Sequence, residues 1–172
     1  MKLIFLFLFT TTHLVFSQQL SNSHKNDIEL AIGYTTYNKS YNGAYLSAEY
    51  HYFITKNLAI NSKLLFAKAE SKKSEPFQAI NLAIGTTGVF DFFSKSEIRV
   101  GLDFGIINIK HPSTYNNITI HHSINKFSYG GSASYLFALN SSLNIGIKYS
   151  VIKIIAADRN MQNLGVNFIK YF

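Results

Sequence analysis

Residues 97–106 read Glu97-Ile98-Arg99-Val100-Gly101-Leu102-Asp103-Phe104-Gly105-Ile106. Every second residue is large and apolar, and those between are charged or glycine. A period of two describes a β-strand with two unlike faces. Working outward, the alternation returns on both sides. Before it stand Gln78–Phe90, with Ile80, Leu82 and Ile84 against Asn81, Ala83 and Gly85, and Leu58–Lys68, with Ile60, Leu64 and Phe66 against Asn61, Lys63 and Ala67. Ala44–Phe53 sets Leu46, Tyr50 and Tyr52 against Ser47, Glu49 and His51. Asp27–Thr36 sets Ile28, Leu30, Ile32 and Tyr34 against Glu29, Ala31, Gly33 and Thr35. After it come Phe127–Phe137, Leu143–Val151 and a last stretch from Asn163 to Phe172. Eight antiparallel strands are expected.

The connectors alternate in length. Ile54–Asn57, Asp91–Lys95 and Ala138–Ser142 read as short turns. Tyr37–Gly43, Ala69–Phe77, Asn108–His121 and Lys153–Asn160 read as long polar loops, and Pro76 and Pro112 fall in two of them. Proline lacks the N–H that a strand ladder needs, so loops are where it is expected. Short turns at one end and long loops at the other predict an up-and-down barrel.

The two faces differ in bulk, and bulk decides which is outside. An eight-stranded barrel has an interior only just wide enough for side chains. The Leu, Ile, Phe and Tyr face is too large for it. The other face carries Gly33, Gly85, Gly101, Gly105, Gly130, Gly146 and Gly165 among Ala, Ser, Asn and charges, and it fits. The bulky face therefore points outward, forming an apolar belt larger than a soluble monomer exposes. Lipid is the consistent solvent, and a closed barrel satisfies every backbone group within it.

Composition agrees. Only 15% of the 172 residues are charged, against about 25% in soluble domains, and 15 phenylalanines and 11 tyrosines are present. A hydrophobic share of 47% excludes disorder. With no cysteine, disulfide scaffolds, zinc ribbons and thiol chemistry are excluded. After residue 17 there is no apolar run of the roughly 18 residues a membrane helix needs. At the N-terminus, Met1-Lys2 precedes the apolar run Leu3–Phe9, and Val15-Phe16-Ser17 supplies a cleavage pattern. Residues 1–17 read as an export signal cut before Gln18, leaving 18–172 as the barrel domain.

The alternating strands, the leader and the terminal Leu164-x-Val166-x-Phe168-x-x-x-Phe172 pattern resemble the small bacterial outer-membrane β-barrels of the OmpA membrane-domain and OmpX type. The resemblance implies an eight-stranded transmembrane barrel, a monomer with both termini periplasmic and long loops outside. It also implies that Phe168 and Phe172 belong to the signal read by the barrel assembly machinery. Lys170 departs from that pattern, which usually has a tyrosine or apolar residue there.

On the inward face, Glu29, Glu49, Glu97 and Asp103 lie among Lys63, Arg99, Lys126 and Lys148. A balanced set of buried charges reads as a salt-bridged filling of the lumen. In the long loops, Lys39, Lys68, Lys72, Lys73, Lys110, Lys153 and Arg159 are candidates for contact with lipopolysaccharide phosphates. No catalytic residue, cofactor or metal is assigned, and no nucleic acid is expected as partner. His111, His121 and His122 share one loop without a flanking carboxylate, which is a weak metal pattern. His121-x-Ser123 approaches the lipid A deacylase motif of a histidine, one residue, then serine and asparagine, but Ile124 intervenes before Asn125. The expected role is structural or surface interaction. A narrow porin-like channel and a lipid A-modifying enzyme are the alternatives.

Overall fold

The computed structural model describes residues 25–38, 40–71, 74–93, 95–115, 118–155 and 159–172, with side chains for all of these except 74–75 and 111–121. Eight strands follow one another: β1 (Asn26–Tyr37), β2 (Tyr41–Thr55), β3 (Leu58–Ser71), β4 (Ser74–Phe93), β5 (Ser96–Tyr115), β6 (Ile118–Asn140), β7 (Leu143–Ile154) and β8 (Arg159–Tyr171). Each pairs antiparallel with its neighbours in sequence, and β1 also pairs with β8, so the sheet closes as an up-and-down barrel. Closure leaves no sheet edge within the wall.

The period of two becomes two surfaces. Leu30, Ile32, Leu46, Leu64, Leu82, Leu102, Phe104 and Ile147 are exposed on the outside. Glu29, Glu49, Asn61, Lys63, Arg99 and Lys148 are buried in the lumen. The described residues contain no helix long and apolar enough to cross a membrane; the crossing is made by strands.

At one end lie the first and last described residues, 25 and 172, the β4–β5 connection and the tight turns 56–57 and 141–142. The turns are tied to neighbouring strands: Val89 donates its N–H to Asn57 O at 2.9 Å, and Tyr171 donates to Ser142 O at 3.0 Å. Lys170 reaches into the same end, its Nζ 2.7 Å from Ser142 Oγ.

The opposite end differs from the sequence expectation. Strands run on where long loops were expected, so the connections shrink to residues 38–40, 72–73, 116–117 and 155–158. Beyond the apolar belt a hairpin needs only its backbone ladder, and the apolar alternation that marks a lipid-facing strand fades while pairing continues. Asn38 turns the β1–β2 connection with a φ of 49°, a left-handed conformation that asparagine tolerates.

Both prolines lie inside strands, Pro76 in β4 and Pro112 in β5, which corrects their assignment to loops. Pro76 falls at the register shift between Ala69 and Ser71, where the β3–β4 ladder is interrupted. Pro112 lies beyond Lys110, the last β5 residue paired with β4, so one side of its strand has no ladder to break.

The lumen is layered. Towards the hairpin end it is apolar: Tyr37, Leu65, Phe77, Ile107, Ile109, Ile154 and Met161 are buried in one cluster, with Tyr37 and Phe77 stacked at 4.2 Å and 10°. The sequence reading placed mainly small and charged groups inside and missed this layer. The small lumen residues Ala67, Ala69 and Ala79 make room for it.

Candidate functional site

Below the apolar layer the lumen holds a connected set of charges, each placed by the inward register of its strand. Lys148 on β7 sets its Nζ 2.8 Å from Glu29 Oε1 on β1 and 2.6 Å from Glu49 Oε1 on β2. Lys63 on β3 lies 3.2 Å from the same Glu49 oxygen and 3.1 Å from Asp103 Oδ2 on β5. Neutral amides complete the shells, with Asn167 donating to Glu29 at 3.0 Å and Asn61 to Asp103 at 2.7 Å.

A second group lies nearer the termini. Arg99 Nη2 is 2.9 Å from Asp27 Oδ2, and its Nε is 2.7 Å from Glu97 Oε1. The Arg99 guanidinium also stands 5.9 Å from the centroid of Phe53 and 5.6 Å from that of Tyr171, within cation–π range. The Tyr171 hydroxyl donates to Glu97 Oε1 at 2.8 Å. His51 joins the groups: Nδ1 lies 2.7 Å from Asp27 Oδ1, and Nε2 lies 3.8 Å from Glu49 Oε2.

Of the sequence-derived charges, Glu29, Glu49, Lys63, Asp103 and Lys148 meet in the first group, and Glu97 and Arg99 in the second. Lys126 stands apart. It is half-buried opposite Ile107, level with the apolar layer, and has no ion pair among the described residues. Asp27 and His51 were missed as members, although they share the inward register of Glu29 and Glu49. With them, five carboxylates face three lysine or arginine cations and one imidazole.

Desolvating so many charges is costly unless each is paired and hydrogen-bonded. Here each carboxylate has a basic partner, so none stands free as a general base. Glu29, Glu49 and His51 bring ligand atoms within 4.8 Å of one another. Two ammonium groups already lie at Glu49 Oε1. A divalent cation would be repelled there, and the set carries no metal assignment.

At the rim, Lys68, Lys110, Lys153 and Arg159 are exposed, and Arg159 Nη1 lies 3.4 Å from the Tyr37 hydroxyl. That hydrogen bond raises the Arg159 guanidinium above its ordinary pKa. Lys39, Lys72 and Lys73 lie outside the described residues. His111 pairs with His122, and Pro112 with His121, across the β5–β6 hairpin; the side chains of His111 and His121 are outside the description. Ser123 Oγ accepts a hydrogen bond from Asn108 Nδ2 at 2.8 Å. On β8, Phe168 is outward and exposed, and Phe172 donates its N–H to Asn26 O at 3.0 Å.

Residues 4–172 match the family described as outer membrane protein beta-barrel domain. The chain belongs to that family. No curated protein matches it. Among solved structures, this barrel resembles Neisserial surface protein A, at 11% identity and a TM-score of 0.69, over 86% of this chain and 97% of that one. Ail, the attachment invasion locus protein of Yersinia pestis, aligns at 15% identity and a TM-score of 0.60, over 87% and 99%. The outer membrane enzyme PagL aligns at 12% identity and a TM-score of 0.53, over 85% and 99%. Identities this low show a shared fold, and the family places the barrel in the outer membrane.

Proposed function

We propose that this chain is a filled outer-membrane barrel that acts by surface interaction, without catalysis, through the end opposite its termini. One observation carries the reading. The β5–β6 ladder runs out to Tyr115 and Ile118, whereas β7 pairs with β6 only as far as Ser128. Beyond Phe127, whose carbonyl oxygen still accepts the Ile155 N–H at 2.9 Å, residues 118–126 of β6 have no β7 partner among the described residues and form one edge of a projecting ribbon, about 30 Å long at roughly 3.3 Å per residue. An unpaired edge offers N–H and C=O groups to an extended segment of another molecule.

The lumen supports a non-conducting barrel. Its hairpin end is filled by buried Tyr37, Phe77, Ile107 and Met161, and its charges other than Lys126 are engaged with one another. The exposed Lys68, Lys110, Lys153 and Arg159 would meet anionic groups at the rim, lipopolysaccharide phosphates among them. Ail has been crystallised with the heparin analogue sucrose octasulfate, a polyanion that such a rim would also suit. In this reading residues 1–17 are the export leader, residues 18–172 fold as a monomeric barrel, and Phe168 and Phe172 present the assembly signal.

The test uses cells displaying the wild type or a variant in which residues 112–121 are replaced by a short turn. Attachment to a surface coated with reduced, carboxymethylated protein, a source of extended segments, is measured, and loss of attachment in the variant is expected. Equal attachment would overturn the role of the ribbon. Because the chain has no cysteine, Thr119→Cys gives a single label. A membrane-impermeant maleimide should reach it on intact cells if the ribbon faces outward.

A further inference from the structure

The outer wall is not evenly bulky. On β2 and β3, Ala48 and Ser62 interrupt the run of large outward side chains, and a trough of about 960 Å³ opens there. Tyr50, Leu64, Leu82, Phe104 and Phe127 line it, and it reaches Asn108 and Asn125 on β5 and β6. These two asparagines face outward where the belt would otherwise continue. Asn108 Nδ2 donates both to Asn125 Oδ1 at 2.6 Å and to Ser123 Oγ at 2.8 Å. The Asn125 amide hydrogens and the Ser123 hydroxyl hydrogen have no acceptor among the described residues.

One step further towards the ribbon, Lys68 pairs with Gln78, and Gln78 with Lys110. All three are exposed. Strands lie about 4.8 Å apart, so the two lysines rise from the wall roughly 10 Å apart. Lys68 has one distant ion pair, to Glu70 at 3.9 Å, and Lys110 has none among the described residues. Two cations therefore stand beside unused amide and hydroxyl donors, one step beyond the asparagines that border the apolar trough.

We propose that this wall of β2–β6 binds one phosphorylated, multiply acylated lipid of the outer leaflet. Its phosphate lies between Lys68 and Lys110, acyl carbonyl oxygens accept from Asn125 and Ser123, and the chains lie in the trough. A soluble anion would use the lysines and leave the trough empty, whereas a neutral lipid would do the reverse. Lys153 on β7 has no equivalent, because the outward residue paired with it is the bulky Tyr129. The site rests on the reading that the ribbon end faces outward.

The full barrel, reconstituted in phosphatidylcholine nanodiscs doped with lipid A, is extracted into detergent and purified away from bulk lipid, and the lipid A still bound is quantified by mass spectrometry. Lys68→Ala with Lys110→Ala should lower retention about thirtyfold at low salt. Asn108→Leu with Asn125→Leu should lower it without changing its salt dependence. Lys153→Ala should leave it unchanged, and dephosphorylated lipid A should not be retained. Heat-modifiable gel mobility checks that each variant is folded. An equal loss from Lys153→Ala, or equal retention of the dephosphorylated lipid, would overturn the site. If Thr119→Cys labels from outside and lipid A is still not retained, the site fails while the orientation stands.

Discussion

Lys148 on β7 holds its Nζ 2.6 Å from Glu49 Oε1 on β2, across the lumen and across the β1–β8 seam. Glu49 also engages Lys63 at 3.2 Å, so removing its charge takes a carboxylate from two buried ammonium groups at once, leaving Lys148 with Glu29 and Lys63 with Asp103. Glu49→Gln should destabilise the barrel by about 3–5 kcal/mol, the usual effect of breaking a buried pair from one side. Glu70→Gln, at an exposed glutamate 3.9 Å from Lys68, should change stability by less than about 1 kcal/mol. Urea titrations of the refolded protein in lipid vesicles compare the two.

Gly33 and Gly165 face each other across the seam, and Tyr45 lies over them. A Cβ on Gly165 would collide with the Ile32 carbonyl oxygen and come within 2.6 Å of the Tyr45 hydroxyl. Gly165→Val should therefore lower the unfolding midpoint. The Tyr45 hydroxyl itself is buried without a hydrogen-bond partner among the described residues. Tyr45→Phe should be neutral or stabilising by up to about 1 kcal/mol. A clear loss of stability in Tyr45→Phe would mean that the hydroxyl has a bound water.

Leu102 sits midway along the outward face of β5, between Ile98 and Ile106. Leu102→Arg should cost about 2–4 kcal/mol when the barrel is folded in bilayers, as expected for a cation at the lipid midplane. The penalty should shrink sharply in detergent, where water reaches the charge. Equal penalties in both media would remove the support for a lipid-facing belt.

Planar-bilayer recordings should show no stepwise conductance from the wild type. Arg99→Ala and Asp103→Asn should also be silent, because the stacked Tyr37 and Phe77 and their apolar neighbours fill the lumen above those charges. A discrete conductance altered by either substitution would favour a channel.

Export should remove the first 17 residues, so the N-terminal sequence of the membrane-inserted protein should begin at Gln18. Retention of Met1 in that fraction would refute the leader.

The wall of the barrel was legible because a lipid-facing strand must repeat every two residues. Ile98 through Ile106 therefore declared both pairing and facing. Heights were less legible. Phe77, Ile107, Ile109 and Ile154 occupy inward positions, yet hydrophobicity does not distinguish lipid from a dry lumen. Only the alanines opposite them hint that the interior has room. The ribbon escaped because pairing through His111 and His122 needs backbone groups alone and leaves no apolar rhythm. Asp27 and His51 were readable in register, but recognising them as partners of Arg99 and Glu49 requires the curvature that brings β1, β2 and β5 together.

Two of the lumen ion pairs join residues far apart in the chain: Lys148 reaches Glu29 over 119 positions and Glu49 over 99. Such contacts form late, because they await the full loop closure between the first and last strands. Until the seam shuts, Lys148 and its carboxylates stay hydrated, and the unfinished sheet carries a wet face as well as a greasy one. Shutting the seam brings Lys148 to its carboxylates and takes them out of water. The barrel's latch is thus also its dryness switch: a chain not yet closed stays soft and soluble on one side, and a closed one is difficult to reopen.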